Sequence, residues 1–105
     1  MLVPAAFFVA AERRFPKGST RADVISFVAD ARSRTQRLSE VDPQVAERLI
    51  LAVVSDERIG DIDPGTGFET QMLFLAAFTA DAKYDTADLE DFLADARKLA
   101  NQWLA

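Results

Sequence analysis

The chain has 105 residues, 50% of them apolar, and a formal charge of −5, with no cysteine and no histidine. That length and composition predict one folded domain spanning 1–105, with a core that needs no covalent staples, and argue against disorder. The missing residue types exclude disulfides, thiolate chemistry, zinc sites of the usual kind, imidazole bases and histidine pH switches.

Helical periodicity runs through almost the whole chain, and no alternating stretch or Asn-Gly hairpin signal interrupts it. The expected fold class is all-α, a compact array of about five helices joined by short loops. The apolar run Met1 to Ala11 lacks a basic flank and is shorter than the roughly 20 residues a membrane span needs. It reads as a buried helix from Pro4 to about Arg14, in a cytoplasmic protein with no membrane partner. Phe15-Pro16 ends that helix, because the residue before proline avoids the α region.

The second helix starts at Thr20, whose hydroxyl is placed to accept from the Asp23 N–H. Val24, Phe27, Val28 and Ala31 form its buried stripe, with Thr35 and Leu38 continuing it, and Asp30 and Arg34 make an i,i+4 pair. Asp42-Pro43 opens the third helix. Its unbroken apolar run Leu49 to Val54 predicts an enclosed, central position. The fourth helix holds Phe68 and a second unbroken run, Met72 to Phe78. Asp85 caps the fifth, where Leu89, Phe92, Leu93, Ala96, Leu99, Ala100, Trp103 and Leu104 share one stripe.

The stretch Ala80 to Glu90, "ADAKYDTADLE", resembles the tellurite-resistance TerB-like helical domains, with Ala82 where that pattern has glycine. The resemblance implies a helix–corner–helix unit. A faint echo at an offset of 25, between Val53–Gly60 and Phe78–Asp85, points to the same kind of unit.

"GDIDPGTGFE", Gly60 to Glu69, looks most like a site. A calcium loop counted from Asp61 places Asp63 correctly but puts Gly65, Thr66 and Met72 at positions 5, 6 and 12, where ligands and the turn glycine belong. A phosphate loop would need Gly-Lys-Ser/Thr, and Phe68 and Glu69 stand there instead. The local pattern predicts a type II turn over Asp63-Pro64-Gly65-Thr66, then a capping box between Thr66 and Glu69. Weak cation binding at the Asp56 to Asp63 corner is the alternative.

No catalytic residue, cofactor or metal ligand is assigned. Ser19, Ser26, Ser33, Ser39 and Ser55 have no histidine to activate them, none lies in Gly-x-Ser-x-Gly, and no Asp-Ser-Leu is present to carry a prosthetic group. Asp88, Asp91 and Asp95 read as a solvated flank.

Charge is unevenly spread: residues 1–40 sum to +3 and residues 41–105 to −8. The basic half is the basis for an alternative reading as a nucleic-acid-associated protein. Net acidity and the apolar character of the central helices weigh against it. The split also allows basic and acidic edges to meet within the fold or between copies.

Adjacent Phe7 and Phe8 point about 100° apart, so one core centre does not hold both. With three segments apolar all round, the expectation is an exposed interface built from Val3, Phe7, Phe8, Ala11, Phe15, Phe74 and Phe78. Its partner is a second copy or another protein, unless Trp103 or the loop after the first helix covers it.

Overall fold

The computed structural model describes residues 2–55 and 60–104. They form six helices, α1 (Leu2–Arg14), α2 (Arg21–Arg34), α3 (Gln36–Ser39), α4 (Pro43–Val54), α5 (Pro64–Ala82) and α6 (Thr86–Leu104), and no strand. None of the described helices is long and apolar enough to cross a membrane.

The helices begin where a side chain can satisfy their orphan N–H groups. Thr20 Oγ1 accepts from the Asp23 N–H at 3.2 Å, and Asp23 accepts in return from the Thr20 N–H at 2.8 Å. Asp42 accepts from the Gln44 N–H at 2.9 Å, with Pro43 in the first helical position. Asp85 accepts from the Asp88 N–H at 2.8 Å. These three starts agree with the sequence reading.

The start of α5 does not. Its cap is Asp63, which accepts from the Thr66 N–H at 2.9 Å and from the Thr66 hydroxyl at 3.2 Å, and Pro64 occupies the first turn. The predicted type II turn and the Thr66–Glu69 box are therefore replaced by a second Asp-Pro helix start, three residues earlier. Gly65 and Gly67 are helical. Gly67 is buried, and a Cβ there would sit 3.5 Å from Ile62 Cγ2.

The second predicted helix is also shorter. Thr35 is extended, with φ −138° and ψ 155°, and its Oγ1 accepts from the Leu38 N–H at 3.1 Å. One threonine ends α2 and caps α3, so Leu38 is buried from a separate short helix. Arg32 holds the following turn by donating to the carbonyls of Val41 and Ser39 at 3.0 and 2.7 Å.

The enclosed helix is α1, not α4. Ala5, Ala6, Phe7, Val9, Ala10 and Ala11 are all buried, and α1 packs against α4, α5 and α6. Ala46, Leu49, Ile50 and Leu51 bury one face of α4, while Ala52, Val53 and Val54 stay half-exposed. The remaining helices, α2 and α3, pack on α4 and α5. Five phenylalanines tie these layers together. Phe27 stacks on Phe78 with centroids 4.9 Å apart, Phe15 meets Phe27 edge-on at 5.5 Å, and Phe7 meets Phe78 at 5.8 Å. Phe74, fully buried, lies 6.2 Å from Phe27.

The Asp63 cap generates a test. Hydrogen bonds from the Thr66 N–H, then from its hydroxyl, hold the Asp63 carboxyl below its ordinary value of 3.8. A folded-state value below the unfolded one means stability is present above pH 3.8 and lost as pH falls through the folded value. Asp63→Ala should lower Tm at pH 7 by more than Thr66→Ala and Glu69→Ala combined. The gap from wild type should close on acidification below that value. Thermal melts from pH 7 to 2 check both.

Candidate functional site

The seven residues predicted to form an interface take two different positions. Phe7, Ala11, Phe15, Phe74 and Phe78 are in the core, each no more than 5% exposed. They are not available on the surface of the isolated chain. Val3 and Phe8 are half-buried. The 100° between Phe7 and Phe8 is resolved by two different partners. Phe7 goes inward to Phe78, and Phe8 goes sideways to Trp103, whose ring it meets edge-on at 5.7 Å and 89°. The loop residue Phe15 turns inward as well and is packed against Phe27 and Phe78.

One group of exposed apolar side chains lies at the end of the bundle where α1 begins and α6 ends, while Ile25 and Leu89 are exposed elsewhere. The pairs Phe8–Trp103 and Arg13–Asp95 show that α1 and α6 run antiparallel. Leu2 and Leu104 therefore share the end beyond Phe8. Trp103 is 40% exposed, Leu2 45% and Leu104 70%. Beside them Pro4, Phe8, Val53 and Trp103 line a cleft of about 280 Å³ whose floor reaches Phe7 and Leu49. On α5, Phe68 and Met72 are each 49% exposed at i,i+4 spacing, forming a second apolar ridge.

The opposite end is polar. The structure brings Arg13, Arg14 and Arg34 together around Asp81. Arg13 and Arg14 line a hollow with Asp81 and Tyr84, and Arg34 forms ion pairs with both Asp81 and Asp30. Hydrogen bonds to Asp81 first, then Asp30, raise the Arg34 guanidinium above its ordinary value. Arg13 donates to the Tyr84 hydroxyl at 3.3 Å and pairs with Asp95, while Arg14 sits 5.0 Å over the rings of Phe15 and Phe27. These arginines are occupied by carboxylates or rings, which leaves little positive charge to offer a phosphate backbone.

At the acidic corner, Asp56 to Ile59 lie outside the described residues, and with them half of the first copy of the sequence echo. Asp61 is exposed, and Asp63 is committed to its cap. Among the described residues no three acidic, histidine or cysteine side chains are grouped to hold a metal ion. On the predicted acidic flank of α6, Asp95 takes Arg13 and Asp88 takes part in the helix start, leaving Asp91 exposed. The stretch Ala80 to Glu90 forms the α5–α6 corner, where Lys83 adopts the left-handed conformation at φ 51°.

No protein family matches the chain, and no curated protein or solved structure matches it either. The function is argued from its own surfaces.

The sequence reading placed Leu89, Trp103 and Leu104 on the core stripe of the last helix and gave Leu2 no role, but all four are exposed. The available signal was two apolar residues at opposite ends of the chain, which meet only if the first and last helices are antiparallel neighbours. The contact that fixes this arrangement is directly measurable, because Trp103 is the sole tryptophan. Phe8→Ala should shift its emission to longer wavelength by uncovering the indole face, whereas Phe68→Ala should leave the emission unchanged.

Proposed function

We propose that this domain is a non-enzymatic protein-interaction module that self-associates through the end of the bundle formed by Leu2, Phe8, Trp103 and Leu104. The observation that carries the reading is the cluster of exposed large apolar side chains at that end, beside an apolar cleft. Contiguous apolar patches on small domains mark contact surfaces. Tryptophan is also the residue type most enriched among the few side chains that dominate binding energy. Two copies related by a two-fold axis would present the same patch to each other, the commonest arrangement for a small homodimer.

Serine usage supports a non-catalytic role. The hydroxyls of Ser19, Ser33 and Ser39 donate to the backbone carbonyls of Pro16, Asp30 and Gln36, each three residues back. They serve local turns rather than a nucleophilic centre. A cytoplasmic setting fits the absence of cysteine.

Sedimentation velocity tests the proposal. The wild-type mass should rise from 11.6 kDa toward twice that value as concentration increases into the high micromolar range. Leu104→Glu, at a mostly exposed site, should keep the folded chain monomeric. A wild type that stays monomeric throughout contradicts self-association. A Leu104→Glu variant that dimerises like wild type contradicts this surface.

A further inference from the structure

A separate apolar groove of about 390 Å³ runs between α3 and α5. Its walls are Leu38 from α3 and Leu73, Ala76, Ala77 and Ala80 from α5. Leu38 and Ala77 are buried and Leu73 is half-buried, so the floor belongs to the folded core. Alanine at three of these α5 positions keeps the groove open. The volume falls in the range of roughly 300–1,000 Å³ typical of small-molecule sites.

The mouth is polar and its charges are not equivalent. Arg34 is already engaged by Asp30 and Asp81. Arg37 also lines the groove, is exposed, and has no ion pair or side-chain hydrogen bond among the described residues. Thr35 Oγ1 accepts from the Leu38 N–H, which leaves its own proton to donate, and the Gln36 amide lies beside it. The adjoining hollow shares Arg37 and Leu73 but contains Glu40, Asp42 and Glu69. An anion is repelled from that side and confined to the mouth between Thr35 and Arg37. Apolar walls below a guanidinium with no direct ion pair among the described residues match a ligand with an aliphatic chain and a single negative charge.

We propose that the α3–α5 groove binds a small aliphatic carboxylate, with the chain along Leu38, Leu73 and Ala77 and the carboxylate on Arg37. The site is distinct from the Trp103 end and does not rest on self-association. Titration calorimetry of the full chain tests it, with decanoate and decyltrimethylammonium below their micelle concentrations and decanol below its solubility limit. Decanoate should bind saturably at one site, and more tightly than either of the other two probes. Arg37→Gln should weaken decanoate by roughly tenfold, the loss of one charge-assisted contact. Ala76→Leu, at an exposed position that tolerates the added volume, should block binding by filling the groove, while Leu104→Glu should leave affinity unchanged. Absence of saturable decanoate binding, equal affinity for decanol, or insensitivity to Arg37→Gln and Ala76→Leu would each overturn the proposal.

Discussion

The helix α1 is buried against α4, α5 and α6, and the arrangement of this domain follows from enclosing it. Leu2 to Arg14 presents small residues in several directions, Ala5, Ala6, Ala10 and Ala11, so neighbouring helices can approach closely. On one side α6 docks with Phe92, Ala96 and Ala100 buried, and on others lie α5 and α4. Phe15-Pro16 then stops the helix and turns Phe15 back into the cluster of Phe27, Phe74 and Phe78. Through that cluster α2 joins the core without packing along α1. Each phenylalanine buried there contributes several kcal/mol in packing and transfer, on the order of 3–5 when truncated to alanine.

The uneven charge of the chain is used within the fold. Arg13 meets Asp95 and Arg34 meets Asp81, so two residues of the basic first part each pair with a residue of the acidic second part. The C-terminal ends of α1, α2 and α5 converge near Asp81. Arginines suit the negative ends of helix dipoles there, and Arg34 offsets an aspartate that stands poorly in the last turn of α5. Exposed pairs of this kind are worth at most about 1 kcal/mol each. Their larger consequence is for binding, because they occupy arginines that would otherwise form a basic patch.

Local features of the fold were legible in the sequence and long-range ones were not. Thr20, Asp42 and Asp85 were readable as caps because the donor and acceptor lie within three residues of each other. The buried stripe Val24, Phe27, Val28 and Ala31 was readable from its spacing, and the structure buries all four. The start of α5 was misread because Pro-Gly and Thr-x-x-Glu are both valid local signals, and Asp63-Pro64 outcompetes them by opening the helix earlier. The break at Thr35 follows from one hydroxyl serving two helices, which periodicity does not register. Which of three apolar segments would be central depends on contacts between distant helices. For the same reason the predicted interface named residues that pack inside, and the exposed end formed by Leu2 and Leu104 was not visible.

The helix α1 is the enclosed strut of the domain although it lies at the start of the described chain. Native-state hydrogen–deuterium exchange on each amide tests this most directly. The amides of Phe7 to Ala11 should be among the slowest to exchange, opening only with global unfolding, while those of α3 exchange faster. Exchange of the α1 amides as fast as those of α3, with α4 and α5 still protected, would contradict the enclosure of α1.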